Sequence, residues 1–269
     1  MADYTIDDLL YLMSRLRDPV DGCPWDIKQG FNSIVPHTIE EAYELADAIA
    51  HDDKQHVKEE LGDVLFQVVF YAQLGREQGD FDFTTVVSQL VDKLIRRHPH
   101  VFPEGDLQAR FGEQRKDITS IKQNWEAIKS TERLGKRQVS VLDDVPVSLP
   151  AMSRAIKLQK RTANTGFDWP NIDGVIAKLN EELQELQQAR EQRDDAAVAA
   201  EFGDVLFSLG NLARHLKIDP ESALRGCNNR FEGRFRYIEE QLLLQGKTPE
   251  QASLAEMDAL WDQAKQTGL

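Results

Sequence analysis

Two observations predict an all-α chain made of two copies of one helical module. Apolar residues recur three and four positions apart almost throughout, and strand signals are scarce; Leu61, Val64, Leu65, Val68, Val69 and Ala72 share one helical face without a miss. The second observation is a repeat at one fixed offset. Adding 141 to Glu41, Glu44, Glu60 and Asp63 gives Glu182, Glu185, Glu201 and Asp204, and Gly62-Asp63-Val64-Leu65-Phe66 recurs unchanged as Gly203-Asp204-Val205-Leu206-Phe207.

In chain order, the periodic stretches predict helices near 5–17, 37–51, 61–72, 84–97, 118–132, 150–163, 172–192, 196–216, 220–244 and 250–265. Asp, Ser, Thr or Pro stands near several of the starts, where a side-chain oxygen can cap free amides and a proline loses no helical hydrogen bond. Between the paired acidic motifs lie 15 residues, including Asp52-Asp53 in one copy and Asp194-Asp195 in the other. That is room for a helix end, a short turn and a new N-cap, so the two acidic helices of each copy are expected to be antiparallel neighbours. Gly135 to Pro150, with Pro146, Asp143-Asp144 and little periodicity, reads as a connector. The expected organisation is a first module over 1–134, a linker over 135–150 and a second module over 151–269.

Lys and Arg number 32 against 46 Asp and Glu among 269 residues, a net charge of -14, which argues against a phosphate-tracking surface and a nucleic-acid partner. The longest apolar stretch, Val64 to Tyr71, is far short of the roughly 20 residues of a membrane span, so no membrane association is expected. The start, Met1-Ala2-Asp3-Tyr4-Thr5, lacks the features of a secretory signal. Cys23 and Cys227 are the only cysteines, which excludes a disulfide framework and makes the cytoplasm the expected compartment; both read as packing residues.

The chemistry sits in the acids. Glu-x-x-Glu on one helix and Glu-x-x-Asp on the next put four carboxylates on facing surfaces, because residues three apart share a helix face. Such a cluster repels itself unless protonated or neutralised, and an oxygen-only set suits Mg²⁺, with Mn²⁺ as a substitute, better than zinc. The candidate metal ligands are Glu182, Glu185, Glu201 and Asp204, with a second set at Glu41, Glu44, Glu60 and Asp63. An exposed Glu-x-x-Glu is usually just a solvated face. Here the helix following Asp63 is apolar nearly all round, which places the acids at the edge of a core, and the arrangement occurs twice. Positions 63 and 204 lack the His of a di-iron bundle.

These residues resemble the MazG family of nucleoside triphosphate pyrophosphohydrolases, in its bacterial form with two tandem domains. The resemblance rests on Leu16-Arg17-Asp18-Pro19 through Gly22-Cys23-Pro24-Trp25-Asp26, Thr38-Ile39-Glu40-Glu41-Ala42-Tyr43-Glu44, Glu60-Leu61-Gly62-Asp63-Val64-Leu65-Phe66-Gln67, Arg96-Arg97-His98-Pro99-His100-Val101-Phe102, Asn124-Trp125-Glu126-Ala127-Ile128-Lys129, Gln159-Lys160-Arg161 and Gly166-Phe167-Asp168-Trp169. It implies two all-α four-helix-bundle modules, a homodimer with sites assembled from both subunits, Mg²⁺ dependence, and hydrolysis of nucleoside triphosphates to monophosphate and pyrophosphate. It also implies that activity resides chiefly in the C-terminal copy, the N-terminal one being non-catalytic or regulatory.

Cations give an independent reason for that asymmetry, since a triphosphate needs Lys or Arg beside the metal. The second copy offers Arg154, Lys157, Lys160, Arg161 and Lys178 upstream and Asn228, Arg230 and Arg234 downstream; the first has His37 where the second has Lys178. Lys157, Lys160, Arg161, Lys178, Glu181, Asn228, Arg230, Arg234 and Trp261 are the candidate substrate-binding residues, and Glu181 or Glu182 is expected to orient or deprotonate the attacking water. Trp169 and Trp261 can stack on a base, although lone Trp residues on helices more often pack in cores. Gly135-Lys136 lacks the glycine spacing of a P-loop, and His98 and His100 read as a helix terminus packed by Pro99 and Phe102. Two other readings stay open: a regulatory scaffold that binds nucleotide and metal without turnover, and a phosphohydrolase acting on another nucleotide, such as an alarmone or a phosphoribosyl-ATP-like compound.

Overall fold

The computed structural model describes residues 3–110, 140–143 and 145–268. Among them every regular element is helical: α1 (Ile6–Leu16), α2 (Pro24–Lys28), α3 (Phe31–Ala50), α4 (Lys54–Gln78), α5 (Phe83–Arg97), α6 (Ala151–Ala163), α7 (Ile172–Gln192), α8 (Asp195–Leu216), α9 (Pro220–Leu244) and α10 (Leu254–Gln266), with 3-10 turns at Pro103–Gly105 and Pro249–Gln251. The helix expected near 118–132 and the Asn124-Trp125 motif lie outside the described residues. The chain divides into two compact units, Met1–Glu132 and Arg133–Leu269.

Helix starts follow local chemistry. Thr5 and Asp8 form a reciprocal capping box at α1, and Ser253 and Glu256 form another at α10. The acidic hairpins α3–α4 and α7–α8 turn in the same way. Each passes through one left-handed residue, Asp52 (φ 54°) or Arg193 (φ 58°), and then an aspartate N-cap. Asp53 accepts from the amides of Gln55 and His56, and Asp194 from those of Ala196 and Ala197.

Several boundaries differ from the sequence expectation. Helix α3 begins at Phe31 rather than 37, with Pro36 inside it, because a proline near the start forfeits one amide bond while the Gly30–Ser33 pair still closes the first turn. Helix α4 extends well beyond 61–72 because Asp53 caps its start and Gly79, in the left-handed region at φ 76°, ends it. The five-residue α2, with Pro24 in its first turn, is too short to show periodicity.

In the first unit α4 packs on α3, α1 and α5. Its core is Met13, Ile34, Val69, Phe70 and Leu74, bordered by Leu9, Phe31, Phe66 and Tyr71. In the second, α8 packs on α7 and α6, while Ile238, Leu242 and Leu260 join α9 to α10 with Trp261 against them. Helix α4, apolar nearly all round after Asp63, leaves Leu61, Leu65 and Val68 52%, 40% and 41% exposed. One expectation is corrected: Cys227 is exposed rather than packed. Helix α8, at 22 residues, is long and apolar enough to cross a membrane by length and composition, although no unbroken apolar run marks it; such a helix also occurs in soluble bundles. His98 is, as expected, the C-cap of α5.

Candidate active site

Each acidic hairpin gathers carboxylates from two helices. Ligand-capable oxygens of Glu182 on α7 and of Glu201 and Asp204 on α8 lie within 4.8 Å of one another, and Glu41, Glu60 and Asp63 do the same in the first unit. Glu185 and Glu44, one turn along from Glu182 and Glu41, stand outside these triads but interact with them. Burial and a hydrogen bond with Glu182 push the Glu185 carboxyl above the ordinary range, with the charges of Glu182 and Glu201 adding to the effect and Lys178 opposing it. Glu41 is pushed up by burial and by the charges of Asp63, Glu44 and Glu60. Both clusters therefore carry more negative charge than their own surroundings neutralise. All-oxygen donors at that spacing fit a hard divalent cation.

The two copies compensate this charge differently. Lys178 Nζ lies 2.9 Å from both Glu181 Oε1 and Glu182 Oε1. Those contacts hold the Lys178 ammonium well above its ordinary pKa. At the equivalent station His37 stands 3.7 Å from Glu40 and edge-on to the Trp25 ring. In the first copy His56 meets one of the clustered acids, its Nε2 2.7 Å from Glu60 Oε1, while the buried Glu60 Oε2 has no hydrogen-bond partner among the described residues. The second copy has Ala197 at that position.

The larger difference is space. In the second unit a cavity of about 700 Å³ is lined by Lys178, Glu182 and Asp204 at one part and by Ser208, Asn211 and Arg214 further along α8. Leu158, Gln159 and Thr162 of α6 and the Gly166-Phe167-Asp168-Trp169 segment form other walls, and Leu142, from the segment expected to be a linker, contributes too. The register shared by the two copies continues along the helix, pairing Gln67 with Ser208, Val69 with Gly210 and Phe70 with Asn211. Val69 and Phe70 are sealed in the first unit's core, at 0% and 1% exposed. Beside Met13, Val69 and Gln73 that unit has a cavity of about 90 Å³.

Of the candidate phosphate cations, Lys178 lies in this cavity with the acids. Lys157 and Lys160 are exposed on α6, and Asn228 and Arg230 are exposed on α9. Arg161 is half-buried on α6, and the Arg234 guanidinium sits over the Trp261 ring, 5.3 Å from its centroid. Trp261 packs against the α9–α10 core, whereas Trp169, 45% exposed, lines the cavity rather than a core. Sequence reasoning did not single out Gln159, Ser208, Asn211 or Arg214 as site residues. The signal was available in the repeat, which replaces two core residues by Gly210 and Asn211 just beyond the identical pentapeptide.

Paired helical hairpins that gather carboxylates beside a nucleotide-sized cavity define a class, the all-α nucleotide pyrophosphohydrolases. Residues 29–102 match the MazG nucleotide pyrophosphohydrolase domain, and residues 149–231 match the phosphoribosyl-ATP pyrophosphohydrolase family. The chain belongs to the MazG family. It is 46% identical over 262 residues to a nucleoside triphosphate pyrophosphohydrolase of Escherichia coli, covering 97% of each chain. It is 43% identical over 264 residues to the nucleoside triphosphate pyrophosphohydrolase/pyrophosphatase MazG of Thermotoga maritima, covering 98% of this chain and 97% of that one.

Proposed function

We propose that the chain is a nucleoside triphosphate pyrophosphohydrolase whose turnover takes place in the C-terminal module. Water adds to the α-phosphorus, the bond to the β-phosphate oxygen breaks, and nucleoside monophosphate and pyrophosphate leave. The observation that carries this reading is the cavity of about 700 Å³ that reaches the acid triad of the second unit, a volume in the range of small-molecule sites. The equivalent station in the first unit is filled by Val69 and Phe70, so the N-terminal copy is read as structural or regulatory.

Glu182, Glu185, Glu201 and Asp204 would hold Mg²⁺, or Mn²⁺ in its place. A cation bound there supplies charge neutralisation for phosphate oxygens and makes a water more acidic. Lys178 fixes Glu181 and Glu182 and adds positive charge at the same edge of the cavity. Of the two carboxylates proposed to orient or deprotonate the water, Glu182 is buried and lines the cavity, while Glu181 is exposed, held to Lys178 and outside that lining. Lys157, Lys160, Arg161, Asn228, Arg230, Arg234 and Trp261 serve substrate in a homodimer, whose interface would cover Leu61, Leu65 and Val68.

Phosphorus NMR of ATP or GTP turned over with Mg²⁺ tests this. Monophosphate plus pyrophosphate is expected, and oxygen from labelled water should appear in the monophosphate. Diphosphate plus orthophosphate as the main products would overturn the reading.

A further inference from the structure

One wall of the C-terminal cavity carries a hydrogen-bond donor whose direction is set by its neighbours. Arg214 donates to Asn211 Oδ1 from Nε at 3.0 Å and from Nη2 at 2.8 Å. A guanidinium offers donors only, so the amide oxygen must face it, and the Asn211 amide nitrogen is the group left to meet a ligand. Among the described residues no acceptor pairs with that nitrogen. Arg214 is itself held by the Asp168 carboxylate, with Nη1 2.9 Å from Oδ2 and Nη2 on Oδ1. Asn211 is thus aimed by a network rather than by its own rotamer preference.

Its position suits the nucleoside end of a substrate. Asn211 lies seven residues from Asp204 along α8, about 10 Å at 1.5 Å per residue, and both line the same cavity. Ser208, 8% exposed, lies between them on the cavity wall and makes no side-chain hydrogen bond among the described residues. Next to Asn211, Gly210 lets α6 pack close against this helix: a Cβ there would stand 3.1 Å from Met152 Sδ and 3.7 Å from Ile156 Cγ1.

Building on the pyrophosphohydrolase reading, we propose that Asn211 reads the nucleobase, donating from its amide nitrogen to a carbonyl oxygen on the base edge, with Asp168 and Arg214 as positioning residues. An amino group at that edge would set donor against donor and leave the Asn211 amide nitrogen without an acceptor from the base. Hydrogen-bonding sites discriminate most strongly against ligands of that kind. The module therefore prefers keto to amino bases.

The test uses the full chain and the α,β-methylene analogues of ITP and ATP, and of UTP and CTP, pairs that contrast a carbonyl with an amine at one edge of the base. Dissociation constants measured calorimetrically with Mg²⁺ should favour the keto member of each pair by at least about tenfold. Asn211→Leu, which removes the donor, should bring both ratios close to one. Asn211→Asp, which keeps an oxygen on Arg214 and replaces the amide nitrogen by an acceptor, should do the same or reverse them. Binding of inorganic tripolyphosphate, which has no base, should be unchanged in both variants. Equal affinities within each wild-type pair, or ratios that survive both substitutions, overturn the proposal. Because binding is measured with analogues that cannot be cleaved, the result stands apart from whether the wild-type chain releases pyrophosphate.

Discussion

Phe70 and Asn211 hold the same station in the two modules, and one seals a core where the other lines a cavity. Refilling the cavity should therefore convert the second module toward the first. Asn211→Phe should lose nucleotide turnover by at least about 10²-fold, on the scale of losing a principal catalytic contact. Circular dichroism and tripolyphosphate binding should show that the fold and the acidic end survive. The strain of the added volume is about 1–3 kcal/mol. In the other module, Phe70→Ala should cost about 3–5 kcal/mol in urea unfolding, because it empties a packed core.

The acids should matter unequally. Glu185→Ala or Asp204→Ala should lower turnover by at least about 10²-fold, whereas Glu44→Ala or Asp63→Ala should leave most activity in a folded protein. The opposite pattern would place the active site in the N-terminal module.

Lys178→Met removes the cation that bridges Glu181 and Glu182 and leaves the buried Glu182 without that partner. Without metal the variant should melt below the wild type. Saturating Mg²⁺ should raise its melting temperature by more than it raises that of the wild type, since a ligand that binds the folded state stabilises it by mass action. Equal shifts in scanning calorimetry would show that Lys178 does not share the metal's electrostatic task.

Hydrogen bonds from Arg214 hold the Asp168 carboxyl below the usual carboxylate range, against a smaller opposing effect of burial and with further help from His215. A lowered folded-state pKa means that the unfolded chain takes up the proton first. The stability this carboxylate contributes is therefore present above the unfolded value of about 4 and is lost as pH falls through the lower folded value. Asp168→Asn should be less stable than the wild type at neutral pH and should show a shallower loss of stability below about pH 4. Parallel acid-unfolding curves would count against the pairing.

Leu61, Leu65 and Val68 on α4 are each 40% or more exposed in the single chain, as is Phe202 on α8. A homodimer should sediment near twice the 30.6 kDa chain mass at micromolar concentration. Leu65→Lys should shift it toward monomer, because an unpaired charge at a buried interface is expensive. A wild-type mass of 30.6 kDa would show that the open face has another occupant or none.

The helices, the duplication and the acids were legible in the sequence because they are local. Helical periodicity needs only neighbours along the chain, and Asp53 and Asp194 cap α4 and α8 through amides two and three residues away. The Glu-x-x-Glu and Glu-x-x-Asp motifs fix which acids share a face, and the short connection between them makes their helices neighbours. The start of α3 was less legible, because Pro36 looks like a boundary when only its missing amide is considered.

What one helix does not specify is what lies against it. By sequence alone, Val69 and Gly210 are positions on two apolar helices, and Gln159 is a polar residue on an amphipathic one. Only packing makes Phe70 a sealed core residue beside Met13 and Ile34, and only packing brings Asp168, 46 residues before Arg214, to hold it. The sequence by itself determined the helical modules, their repeat and the carboxylates on each acidic face. Tertiary structure decided that, among the described residues, a cavity stands open beside the second module's carboxylates and not beside the first's, because a cavity is the volume left by side chains from several helices and the change from Phe70 to Asn211 marks only one wall of it.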